Sequence, residues 1–403
     1  MLLPFPATMI SEVEQPKEKR SLSSEPPSLM SLPYEIIENI LARISKWSYP
    51  NLSLVSKSFL SLLSSPQLYK TRSEIGTTEP CLYFCLESAN HSSPQWYTLW
   101  MKPDETLTGT GTIHDYSLIP LPSSSPVLRT STVAVGSEIY VIGGHFNRSS
   151  SVRIFDCRSN TWRDGPNMTV ARSDPVAVLI DQRIYVLGGR EMDESDDWFE
   201  VFDIKTQTWR ALPSFRAGLE LRRYIVWPNR YFPRLGDSQT AVRLINVNPN
   251  ALEGKLYVAA QINDYTYEPK DDTWKVVSKS SIRRVKVWCV IENVMYACHD
   301  VFLRWYDYED RRWREIQGLE ELCYHPTRGF SGAERIVNYG GKLVVMWRPV
   351  QSDGKDKIEI WCAQIALEKR SKDEIWGKIE WINSVLTVPK LCDLCYSCVV
   401  VSI

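Results

Sequence analysis

Arginine is the residue type that carries the most chemical promise in this chain of 403 residues. Its guanidinium forms forked contacts with carboxylates and phosphates. Arg129, Arg172, Arg222 or Arg223, Arg283 or Arg284, and Arg328 recur along the chain. Brought to one surface, they would bind an acidic or phosphorylated segment. Taken singly, each can instead bond neighbouring carbonyls. His145 and Arg190 open two loops, 145–151 and 190–197, that would rim the same surface. The acidic run Glu191–Asp197 reads as a solvated loop.

Catalytic and metal chemistry find less support. The ten cysteines mostly fall singly in apolar runs, as buried thiols of a reducing compartment do. Cys392-x-x-Cys395-x-x-Cys398 resembles a metal-ligand run in spacing. No fourth ligand stands nearby, however, and strand alternation would send Cys395 to the opposite face. The five histidines, His91, His114, His145, His299 and His325, lack ligand spacing. A phosphate loop, a dinucleotide fingerprint, a nucleophile elbow and a His-Glu-x-x-His motif are all missing. The expectation is a non-catalytic chain with no cofactor and no metal.

Other partner classes are narrowed by charge and hydropathy. A net charge of −1 gives no general attraction to nucleic acid. Residues 216–253 mix Arg216, Arg222, Arg223, Arg230 and Arg234 with Tyr224, Trp227, Tyr231 and Phe232, a composition that can bind single strands. The plainer reading is a diverged strand with an elongated loop. No apolar run approaches the ~18 residues of a membrane span. Met1–Ile10 lacks the early positive charge of a signal peptide. Cytoplasm or nucleus is expected.

The elements that must position these side chains announce themselves by repetition. Ile139-Tyr140-Val141-Ile142-Gly143-Gly144 is followed by Phe155-Asp156, Thr161-Trp162 and Gly165-Pro166. Ile184-Tyr185-Val186-Leu187-Gly188-Gly189 is followed by Phe202-Asp203, Thr208-Trp209 and Leu212-Pro213. The tyrosines lie 45 residues apart, a period that marks a repeat array. Each unit reads as short strands joined by turns, with its two aromatics seven residues apart on neighbouring strands of a hairpin. The same pair continues where the glycines have decayed, as Tyr267 with Trp274 and Tyr306 with Trp313.

Six units are counted: 80–125, 130–171, 172–217, 218–280, 281–325 and 326–390. The first lacks an opening strand, and residues 394–403 resemble the missing piece. This predicts a ring of six four-stranded blades over 73–403, closed by the C-terminal segment, which removes free sheet edges. In such a ring the arginines would surround the mouth of the central channel.

Ahead of the repeats, residues 1–27 are rich in Ser, Pro and Glu, which predicts disorder. Residues 28–72 are helical in pattern. Ile36, Ile37, Ile40, Leu41 and Ile44 form one stripe, with Pro33 suited to a first turn. Leu52, Leu54, Val55, Phe59, Leu62 and Leu63 predict a second helix, and Gln67–Arg72 a third turn. A module of about 45 residues cannot bury both apolar faces within itself, so part must meet a partner.

Two resemblances follow from these residues. The glycine doublets, Phe-Asp, Thr-Trp and Met168-x-x-Ala171-Arg172 resemble kelch repeats. Leu32-Pro33, Ile40-Leu41-x-Arg43, Leu52-x-x-Val55-x-Lys57 and Ser65-Pro66-x-Leu68-Tyr69 resemble an F-box. Together they resemble the plant F-box/kelch-repeat proteins. The fold class implied is a small all-α F-box module followed by an all-β six-bladed kelch-type β-propeller. The function implied is a substrate adaptor of an SCF ubiquitin ligase. The F-box would dock on a Skp1-like protein, and through it on cullin-1, using Leu32, Pro33, Ile36, Ile37, Ile40, Leu41, Leu52, Val55 and Phe59. The propeller would hold the protein substrate. The alternatives are a scaffold that does not engage the ligase and a copper oxidase on a kelch frame, which would need His and Tyr ligands.

Overall fold

The computed structural model describes residues 31–86, 95–101, 116–121, 131–144, 147–173, 175–189, 198–213, 250–259, 263–279, 287–324, 329–349, 357–389 and 397–403. Four α-helices come first: α1 (Tyr34–Ala42), α2 (Tyr49–Ser53), α3 (Lys57–Leu63) and α4 (Pro66–Glu74). The apolar run at 52–63 is thus two helices, broken at Leu54–Ser56. The break has a local cause. The Ser56 hydroxyl accepts from the Phe59 N–H at 3.2 Å, a cap that starts a new helix. Ser65 caps α4 in the same way, with Pro66 in its first turn.

Six antiparallel four-stranded sheets follow. Blade one takes its innermost strand, Ser397–Ser402, from the far end of the chain, and pairs it with Pro80–Leu86. The other innermost strands are Ser131–Val135, Val176–Ile180, Asn250–Leu252, Val287–Ile291 and Arg335–Tyr339. Each touches the innermost strand of the next blade, and Ser397–Ser402 touches both Ser131–Val135 and Arg335–Tyr339, closing the ring.

The repeated residues each have a physical task. Phe155 lies opposite Trp162 in register, with ring centroids 4.9 Å apart. Phe202 and Trp209 stand at 4.9 Å, Tyr267 and Trp274 at 5.2 Å, and Tyr306 and Trp313 at 5.3 Å. Such pairs tie the two outer strands of a blade together. The aspartate after the first aromatic holds the hairpin turn. Asp203 Oδ1 accepts from the Lys205 and Thr206 N–H groups at 3.0 and 3.1 Å, and Asp307 Oδ1 does so from Glu309 and Asp310.

The glycine doublets let neighbouring backbone approach closely. A Cβ on Gly189 would stand 2.6 Å from the Ser173 carbonyl, and one on Gly144 only 1.9 Å from that of Asn147. Two-residue turns with positive φ at both positions, Asp181-Gln182 and Glu292-Asn293 among them, join the first two strands of their blades.

The helices and the propeller share one core. Ile37, Leu41, Tyr49, Phe59, Leu62, Leu63, Leu68 and Tyr69 pack with Cys81, Tyr83, Trp96, Ile139, Phe155, Cys157, Val401 and Ile403. Each fully buried Leu, Ile or Phe contributes about 1.5–3 kcal/mol. The apolar surface that the helices cannot bury among themselves is therefore covered first by blades one and two.

Candidate functional site

The helical module meets the propeller end that carries the turns between first and second strands. Pro80 lies beside the turn at Gly340, and Glu79 exchanges backbone hydrogen bonds with Ile403. In an up-and-down blade, the links from second to third strand and the links between blades leave from the other end. Helices and inter-blade links thus occupy opposite ends of the propeller.

Arg72 bolts the module in place. It is 1% exposed. Its Nη1 donates to the Ala42 and Ile44 carbonyls at 3.1 and 2.6 Å and to the Tyr49 hydroxyl at 3.0 Å. Nη2 donates to the Thr77 carbonyl at 2.7 Å and to Glu79 Oε2 at 3.1 Å. Glu79 also accepts from the Lys46 N–H at 2.6 Å. The Tyr49 hydroxyl in turn donates to the Leu41 carbonyl at 3.0 Å, and burial raises its pKa. Thr71 donates to Glu38 inside the same junction. Trp47 closes its edge, edge-on to Trp100 at 5.4 Å.

The module also presents several large apolar side chains to solvent. Leu32, just before α1, and Ile36 and Ile40, one turn apart on it, are 41, 48 and 36% exposed. Tyr34 and Leu60 are about half exposed, and Leu54 and Val55, in the turn between α2 and α3, are 84 and 64% exposed. Exposed aliphatics on this scale mark an interaction surface.

This divides the residues expected to dock a partner. Leu32, Pro33, Ile36, Ile40 and Val55 are exposed. Ile37, Leu41 and Phe59 are a correction: they are buried and belong to the core shared with the propeller. Leu52 is half-buried against that core. Helical periodicity explains the split, since Ile36 and Ile37 point about 100° apart and only one can face the propeller. Tyr34, Leu54 and Leu60 complete the exposed set. The Ser56 cap was the sequence signal that leaves Leu54 in a turn.

Arg172 is a second correction. It is fully buried and carries no substrate face. Its Nε pairs with Glu200 at 2.7 Å, itself 1% exposed, while Nη1 donates to the Gly188 and Trp198 carbonyls at 2.6 and 3.1 Å. The guanidinium fastens the link from blade two to the interior of blade three. Glu200 also accepts from the Thr169 N–H and hydroxyl, at 3.1 and 2.6 Å. Arg129, His145, Arg190, Arg222, Arg223, Arg283, Arg284 and Arg328 lie outside the described residues. So do Cys392 and Cys395 and most of the insertion at 216–253. Among the described residues there is no metal-ligand cluster, and no helix is long and apolar enough to cross a membrane.

A helical module with a bare apolar face, fixed to a six-bladed propeller, is the architecture of an F-box protein that carries a kelch recognition domain. Comparison with known proteins agrees. The F-box domain model matches residues 29–71, and the FKB95 kelch-repeats domain model matches residues 96–386. F-box/kelch-repeat protein At4g19870 of Arabidopsis thaliana is 40% identical over 402 residues, covering 94% of each chain. F-box/kelch-repeat protein At4g29370 of the same plant is 40% identical over 397 residues, 94% of this chain and 96% of its own. The chain belongs to the F-box/kelch-repeat family. Its membership implies the role of an F-box substrate adaptor.

Proposed function

We propose that this chain is the substrate-recognition subunit of an SCF-type ubiquitin ligase, docking on a Skp1-like protein and through it on cullin-1. The observation that carries the reading is the exposed row Leu32, Ile36 and Ile40, together with exposed Leu54 and Val55 of the same module, on helices whose buried side chains join the core shared with the propeller. The propeller holds a protein substrate. Rigid attachment fixes the distance between the two, and proximity of an acceptor lysine to the charged transferase supplies the rate. The ligase chemistry belongs to other subunits. A pull-down with a Skp1-like protein tests the docking. Ile36→Glu/Leu54→Asp places charges in the interface and abolishes capture, while leaving the melting temperature near that of wild type because both sites face solvent. Undiminished capture refutes the assignment.

A further inference from the structure

The face of blade five that looks toward blade four contains a cation that forms no ion pair among the described residues. Arg304 lies on Phe302–Asp307, the third strand of that blade, and is half-buried. Among the described residues it makes no hydrogen bond and no ion pair, and its Nε is sealed from solvent without a partner. The guanidinium meets only the Phe302 ring, 5.8 Å from its centroid. Leaving a charge in this state costs free energy, which folding alone gives no reason to bear. Arg158, Arg163, Arg172, Arg183 and Arg314 all find carboxylates.

The surroundings form a half-built receptor. His299 lies across from Phe302 in register, and its ring stands 5.0 Å from that of Trp313. Its Nε2 is buried and meets no partner among the described residues. Burial, and then Arg304, press its pKa down to about 4, so the ring is neutral. Deeper in the wedge Tyr257, Trp288, Met295 and Ala297 form a small apolar floor. Three carboxylates must be considered as internal partners. Asp300, in the adjoining link, acts on His299 but forms no ion pair with Arg304. Glu315 is opposite Arg304 on the next strand but is exposed and unpaired with it. Asp264 is fully buried and accepts from the Tyr257 hydroxyl at 2.8 Å. Phe302 and His299 flank the link at Asp300–Val301, which leaves from the end opposite the F-box.

We propose that Arg304 anchors an acidic side chain or phosphate of a peptide seated in the wedge between blades four and five, with Phe302, His299 and Trp313 as its walls. The proposal rests on the propeller being the substrate-holding domain. It replaces Arg172 as the described arginine placed for recognition.

The test uses the full chain and two fluorescent probes of equal length, an octaglutamate peptide and a phosphoserine-containing peptide, read by anisotropy. Wild type binds at least one, and which one names the source of the charge. Arg304→Met weakens that binding about tenfold or more, the scale of a lost charge-assisted bond, and Arg304→Lys recovers part of it. The melting temperature of Arg304→Met equals or exceeds that of wild type, because an unpaired half-buried cation is gone. Failure of wild type to bind either probe, equal binding by Arg304→Met, or a marked fall in its melting temperature overturns the proposal. Capture by a Skp1-like protein in the same preparations reports on the F-box separately, so the two readings fail independently.

Discussion

Replacing Arg72 by methionine tests whether the F-box and the propeller form one cooperative unit. Methionine keeps most of the side-chain volume and removes every donor. The Ile44 and Thr77 carbonyls then lose contacts of 2.6 and 2.7 Å, and Glu79 loses its ion pair. Ala42 keeps one partner, the Thr77 hydroxyl at 2.7 Å. Removing one member of a buried charged network costs about 3–5 kcal/mol. The Glu79 side chain is 28% exposed, so its share is screened, and the stranded carbonyls dominate. With an unfolding entropy of ~2.1 cal/mol/K per residue, a chain of this size loses roughly 1–1.5 °C per kcal/mol, or about 3–7 °C in all. Calorimetry should show wild type melting in a single transition. Arg72→Met should melt that much lower, with early cleavage near Thr77–Glu79 in limited proteolysis. Glu79→Gln, which keeps an acceptor, should fall between the two. A wild type that melts in two steps, or an Arg72→Met protein with an unshifted transition, would refute the reasoning.

Two further predictions concern the blades. Arg172→Met leaves Glu200 buried without its cation and should cost about 3–5 kcal/mol in denaturant unfolding, whereas the double variant Arg172→Met/Glu200→Leu recovers part of the loss; unchanged stability would return Arg172 to a role outside the core. Acid stability should follow the turn aspartates. Burial works to raise the Asp156 pKa, but the Arg158 hydrogen bonds overcome it and the net shift is downward. The Thr206 N–H and Arg183 lower that of Asp203. At Asp307 burial is again outweighed, there by Arg314 and the turn N–H groups. Carboxyls depressed in the folded state contribute stability above their unfolded pKa near 4, and lose it as pH falls through the lower folded values. The melting temperature should drop below about pH 4, and Asp156→Asn/Asp203→Asn/Asp307→Asn should flatten that drop. A wild-type curve no steeper than that of the triple variant would contradict the assignment.

The blades were legible because their causes are local. A strand alternates, an aromatic pair seven residues apart brackets one hairpin turn, and an aspartate or a positive-φ turn residue sits beside its own backbone. The apolar stripe of α1 was legible for the same reason, as was its need for a partner. Its division was not. Ile36 and Ile37, or Ile40 and Leu41, are chemically alike and adjacent. Which of each pair is covered depends on α4 and on the core shared with the propeller, whose residues are remote in the chain. Arg172 misled for a related reason: an arginine at the start of a blade looks the same whether its acid is Glu200, 28 positions on, or a ligand.

What the sequence determined by itself is the set of parts: an F-box, a family of six kelch-type units, and a chain with no enzyme motif. The repeat array and the helical stripes follow from periodicities of about 45, two and 3.6 residues, and the F-box and kelch identities from the motifs that resemble those families. What the tertiary structure decided is how the charges and apolar faces are spent. Arg72 and Arg172 are consumed as bolts, Ile37, Leu41 and Phe59 join the two domains, and Leu54, Val55 and Arg304 are left over. Burial and pairing are properties of neighbours brought together in space, and no local pattern records which neighbour arrives.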